Sequence, residues 1–162
     1  MKITINPFDT KSINEAIKKL KQYEKDFRAK EELFVKRLAE IGLSVASTGF
    51  ALADYDGIND VQVTMTQSGT KAVISAQGET VGFIEFGTGI RHPEWDNTGM
   101  AYTPPKHGTY GKGHGARPHG WYFKQSEGAV QHTYGNVPAE AMRTARDEMI
   151  EKVTQIAREV WR

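Results

Sequence analysis

A chain of 162 residues with 38% hydrophobic and 25% charged residues has the size and composition of one folded domain, which excludes wholesale disorder. Lys and Arg number 21 against 20 Asp and Glu, a net charge of +1, so there is no global basic field of the kind a dedicated nucleic-acid binder carries, and any electrostatic role is local. Cysteine is absent, which excludes disulfides, thiolate nucleophiles, iron–sulfur clusters and Cys-ligated zinc and leaves His and carboxylates as metal ligands.

Met1 to Pro7 lacks the long apolar run of a signal peptide, and no segment reaches the roughly 20 apolar residues that span a bilayer. The expectation is a protein made in a cytoplasm, with no membrane partner. Lys2 to Asn6 alternates polar and apolar residues before Pro7 and reads as a brief edge strand. Ser12-Ile13-Asn14-Glu15 has the Ser-x-x-Glu pattern that satisfies backbone N–H groups at a helix start. Ile13, Ile17, Leu20, Tyr23 or Glu24, and Phe27 then form an apolar stripe at helical spacing, with the lysines mostly elsewhere. Near Ala29 the phase shifts.

A second helix is predicted from about Glu31 to Ala53, with Phe34, Leu38, Ile41, Val45, Thr48 and Leu52 on one side. Gly42, Ala46, Ser47, Gly49 and Ala51 make it slim, which suits packing against a sheet; a groove for a partner helix is the alternative. After the turn residues Asp54 to Gly57 the period becomes 2: Val61, Val63 and Met65 alternate outward, Ser68-Gly69-Thr70 turns, and Ala72, Ile74 and Ala76 alternate on return. With a third strand over Thr80 to Phe86, these residues predict a meander of three antiparallel strands.

From Gly87 to about Gly120 periodicity disappears. This stretch holds eight of the sixteen glycines and four of the six prolines, and it carries Arg91, Lys106, Lys112 and Arg117 against Glu94 and Asp96. A loop of this length is uncommon in a compact domain unless it has a function or is disordered. Trp121 to Lys124 reads as a fourth strand, and a last amphipathic helix is predicted from near Pro138 to the C-terminus, with Met142, Ala145, Met149, Val153, Ile156 and Val160 on one side. The fold class is therefore α+β, a single domain over 1–162: strand and helix over 1–30, helix and meander over 31–86, an extended loop over 87–120, and a return strand with a C-terminal helix over 121–162, the sheet of about four strands packed against both major helices.

All five histidines, His92, His107, His114, His119 and His132, lie in one region, so a His-ligated metal centre is the sharpest enzymatic alternative. Their spacing opposes it: no His-Glu-x-x-His is present, and no carboxylate neighbours His107, His114 or His119 to orient an imidazole. Gly108 to Gly115 is glycine-rich but lacks the Gly-Lys-Ser/Thr ending and the strand and helix neighbours of a phosphate loop. No Gly-x-Ser-x-Gly elbow occurs, and the paired carboxylates lie among Lys and Arg on helix faces. Neither a cofactor nor a catalytic residue nor a metal ligand is assigned. The basic loop with its interleaved aromatics leaves a nucleic-acid-binding module as a further alternative.

The phrase Glu85-Phe86-Gly87-Thr88-Gly89, followed by Gly120-Trp121-Tyr122-Phe123 and then His132-Thr133-Tyr134-Gly135-Asn136-Val137-Pro138-Ala139 before a terminal helix, resembles the tail-completion and tail-terminator proteins of long-tailed bacteriophages and phage-tail-like particles. The resemblance covers about residues 31 to 162. Members usually continue the proline phrase with an aromatic and a second proline, where this chain reads Ala139-Glu140-Ala141-Met142. The resemblance implies a non-enzymatic structural protein at the head-proximal end of the tail, assembled as a six-fold ring of its own copies. Its implied partners are the tail tube protein and sheath, neck or connector proteins, with DNA only as passing cargo. Glu85, Gly87, Gly89, Arg91, Lys106, Lys112, Arg117 and Trp121 are the candidate subunit or partner contacts.

Overall fold

The computed structural model describes residues 3–88, 120–124, 128–133 and 135–162. The fold is α+β: a long helix, two small antiparallel hairpins, a short helix and a C-terminal helix.

Helix α1 runs unbroken over Thr10–Ala51, 42 residues, about 63 Å at the rise of an α-helix. The two expected helices are thus one. The phase shift near Ala29 changes which side is apolar, but Arg28-Ala29-Lys30-Glu31-Glu32 contains neither Gly nor Pro and has high helix propensity throughout, so nothing stops propagation. The start is also corrected. Asp9 is the N-cap, accepting from Lys11 N at 2.9 Å, while Ser12 Oγ accepts instead from Asn6 N at 2.9 Å. That turn holds the preceding residues against the helix end, and residues 3–6 form no strand.

Strands β1 (Gln62–Ser68) and β2 (Lys71–Gln77) make the expected hairpin, in register from Gln62 opposite Gln77 to Ser68 opposite Lys71. Val63 and Met65 lie half-buried on the face that Ala72, Ile74 and Ala76 share, as the alternation predicts. The third strand is not formed: Val81–Phe86 is a short helix, α2. A brief apolar run bounded by turn residues fits a strand or a buried helical turn equally well by pattern. Here the outcome is set by Asp60. Its carboxylate accepts from Glu79 N at 2.7 Å and Thr80 N at 3.0 Å, and contacts Thr80 Oγ1, bending the chain off the sheet just before α2.

Strand β3 (Trp121–Lys124) forms where expected, yet it pairs with β4 (Val130–Thr133) in a separate two-stranded sheet and does not extend the first hairpin. Helix α3 covers Ala141–Val160, beginning three residues after Pro138. It lies antiparallel to α1, with Ala141 beside Gly49 and Trp161 beside Phe34 at a ring separation of 5.2 Å. The small residues of α1 therefore admit a helix as well as a sheet. A Cβ on Gly49 would sit 2.7 Å from Ala141 Cβ, and one on Gly42 would meet Met149 of α3 and Ile74 of β2 together.

The core gathers on Phe50, Ile84 and Ala141, one from each helix, with Tyr55, Val61, Val63, Ala76 and Met142 packed around them. Phe50→Ala is expected to destabilise the chain by about 3–5 kcal/mol, read by chemical denaturation, because a fully buried ring leaves a cavity its helical neighbours cannot close.

The Asp60 turn has a pH signature. Hydrogen bonding, first from the Thr80 side chain and then from the Glu79 and Thr80 backbone, holds the Asp60 carboxyl below its ordinary value. A group lowered in the folded state stabilises above its unfolded pKa, and that contribution is lost as pH falls through the folded one. Asp60→Ala should lower the denaturation midpoint at neutral pH, and the gap from the parent chain should narrow on acidification below the ordinary carboxylate range.

Candidate functional site at the base of the 89–119 segment

The chain leaves the described structure after Thr88 and returns at Gly120, and the residues around these points form one hydrogen-bonded base. In the last turn of α2 the carbonyls of Ile84 and Glu85 accept from Ala139 N at 2.8 Å and Glu140 N at 3.2 Å. Three residues after Glu85, Thr88 N donates to Asn136 O at 3.0 Å and Asn136 N returns the bond to Thr88 O at 3.1 Å. Gly87, between them, has φ of 69° and ψ of 167°, and a Cβ there would lie 2.7 Å from Asn136 O and 2.8 Å from Pro138 N. Both the left-handed φ and the proximity of the facing backbone require glycine.

Glu85 is 7% exposed, and its carboxylate faces the start of α3. Oε2 accepts from Met142 N at 3.0 Å and Oε1 from Arg143 N at 3.3 Å, so it satisfies two of the orphan donors of the first turn and places negative charge at the positive end of the helix dipole. Glu140, at the N-cap position, has φ of 47° and makes no side-chain cap bond. The cap is supplied across 57 residues of sequence instead.

Asn136, also 7% exposed, ties three segments together. Its Oδ1 accepts from Asp56 N at 3.2 Å, and its Nδ2 donates to Thr88 Oγ1 at 3.3 Å. Thr133 Oγ1 accepts from Gly135 N at 2.9 Å, and Gly120, with φ of 68°, lies so close to Thr133 O that a Cβ would run into it. Above this base is an apolar cleft of about 180 Å3 whose walls include Tyr55, Phe83, Trp121 and Phe123. Burial, followed by the charges of Asp56 and Asp60, raises the Tyr55 phenol above its ordinary pKa. The cleft is smaller than the roughly 300 Å3 at which drug-sized ligand pockets begin.

Of the sequence-predicted residues, the structure brings Glu85, Gly87 and Trp121 to this base, with Glu85 turned inward as a helix cap and Trp121 half-buried in the cleft wall. In the strand predicted over Thr80 to Phe86, Glu85 and Ile84 would face opposite sides; on α2 both are buried. Gly89, Arg91, Lys106, Lys112 and Arg117 lie outside the described residues, as do His92, His107, His114 and His119. Among the described residues no group of three His or carboxylates could hold a metal ion, and His132 packs edge-on against Tyr122 at 4.8 Å. Sequence reasoning missed Asn136, Thr88 and Asp56 as a polar lock. The signal available was an Asn two residues before a proline and near a helix start, a position where an Asx side chain bonds backbone N–H groups.

Glu85→Ala is expected to cost about 1–3 kcal/mol by leaving two N–H groups at the start of α3 without their acceptor, and Glu85→Gln less, since an amide oxygen still accepts. Gly87→Ala should destabilise by more than about 1 kcal/mol through φ strain and backbone contact. Urea titration of the three variants checks both.

Comparison of the chain with protein-family models, with curated proteins and with solved structures returned no match.

Proposed function

We propose that this protein is a structural component of a phage or phage-tail-like particle that caps the tail tube and forms the ring at its neck or collar. The observation that carries the reading is the pairing of the two phrases on which the resemblance rests. Ile84 to Thr88 and Asn136 to Arg143 are hydrogen-bonded along their length into one unit, by four backbone bonds and by the Glu85 carboxylate. A short motif that matches by accident has no reason to find its second half beside it in space.

The chemistry of the base supports a scaffold role. Glu85, Thr133 and Asn136, the buried polar residues among those described, each hold chain segments together. The base fixes both ends of the 89–119 segment at one rim, the arrangement in which a rigid framework presents a connecting segment to a partner. In this reading Arg91, Lys106, Lys112 and Arg117 meet the tube or collar, weak single contacts are multiplied by ring symmetry, and DNA passes only where a head is attached. The protein is made in the host cytoplasm and ends at the head-proximal end of the tail.

Gold-tagged antibody against this protein, applied to particles from producing cells and viewed by negative-stain electron microscopy, should label one end at the neck or collar. Intact particles that take label for another neck protein and none for this one would overturn the proposal. Replacing residues 91–117 by a short Gly/Ser linker should leave the denaturation midpoint nearly unchanged and abolish the end label.

A further inference from the structure

Helix α1 is longer than anything packed beside it in the described structure. Its C-terminal half carries the core, while α3 ends at Val160 and Trp161, level with Phe27 and Phe34. The first hairpin ends at the same level, where Gln67 Nε2 donates to Glu32 O at 3.0 Å. Residues 10–26 project past both. On them Ile13, Ile17, Leu20 and Tyr23 are between 37% and 52% exposed, and Ala16 is the buried member of the stripe. At about 100° per residue, Lys19 and Lys30 flank one edge of that stripe and Lys21 and Arg28 the other. Residues 10–30 hold seven Lys and Arg against three Asp and Glu.

The opposite end of the molecule has the converse character. Between Arg37 and Arg91 the chain has one basic residue, Lys71, placed at the far turn of the first hairpin. Around the C-terminal end of α1 lie Asp54, Asp56, Asp60 and Glu79, with Leu52 79%, Ile58 59% and Phe83 53% exposed among them, and the nearby Arg143 at the start of α3 is paired with Glu140 at 2.7 Å. One molecule thus carries a basic-rimmed apolar ridge at one end and an acidic-rimmed apolar surface at the other.

The geometry points to a head-to-tail contact between copies of this chain, in which the projecting half of α1 of one copy docks on the acidic end of the next. This contact rests on the ring reading proposed above and names the surfaces that would build it. The occupant follows from charge. Two copies pairing ridge to ridge would set their flanking lysines and arginines against one another, whereas ridge against acidic end sets opposite charges around apolar side chains on both sides. A contact between two different patches is heterologous, and when its rotation closes it makes a ring.

A photo-activated cross-linking residue at position 20 of the full chain, irradiated in producing cells where any tail end serving as template is present, should yield a covalent dimer of this chain. Its cross-links should fall within residues 52–60 or 78–86. Lys19→Glu with Lys21→Glu, or Asp54→Lys with Glu79→Lys, should each reduce the dimer yield about tenfold, as reversal of rim charges weakens encounter and retention. Co-expressing the two variants should restore the yield, since each then offers the other a matched surface. All four positions are exposed, so a folded circular-dichroism spectrum is expected of both variants.

Cross-links from position 20 to residues 10–30 of a second copy, the absence of a dimer, or failure of co-expression to restore it would each overturn the contact. The ring reading stands or falls separately. End-labelled particles with cross-links elsewhere leave the ring and remove this contact, and head-to-tail dimers without end label do the reverse.

Discussion

The structure depends on a carboxylate placed where a helix begins. Helix α3 starts after Glu140, whose own side chain makes no cap bond, and Glu85 supplies the acceptor from 57 residues away. Because two donors converge on one buried group, the position of α2 fixes the position of α3. Helix α3 in turn covers Gly49 and Phe50 of α1 through Ala141, so the three-helix core is assembled around one ionisable side chain. The backbone pairing from Ile84 to Thr88 against Asn136 to Glu140 extends this junction into the base of the 89–119 segment.

Much of this architecture was legible in the chain. The first hairpin followed from strict alternation on either side of Ser68-Gly69-Thr70, with each apolar residue on the expected face. The amphipathic stripe of α3 was likewise plain. What could not be read was decided by contacts distant in sequence. The six residues of α2 are too few for a periodicity to separate helix from strand, and Asp60, which turns the chain before them, is about twenty residues upstream. For α1, a change of apolar face reads locally as a break, although the face changes because α3 and the hairpin cover only its second half.

The candidate site divides in the same way. Gly87 and Trp121, candidates as partner contacts, lie at the base, Gly87 against the backbone of residues 136–138 and Trp121 in the cleft wall. Glu85 was picked out for an outward role and is turned inward, because its partners, the N–H groups of Met142 and Arg143, have no local signature at position 85. Asn136 bonds to Asp56 and Thr88, 80 and 48 positions away, and no window of sequence contains all three.

The joined rim at Thr88 and Gly120 also governs how the chain tolerates change. Thr88 is held by its bonds to Asn136 and Gly120 lies against Thr133 O, so both ends of the intervening segment are anchored on one short stretch of chain. For an insertion that behaves as a flexible chain, doubling its length costs only about 0.6 kcal/mol. Substitutions at the rim therefore act on folding directly, whereas lengthening the segment by flexible residues carries only this small closure cost.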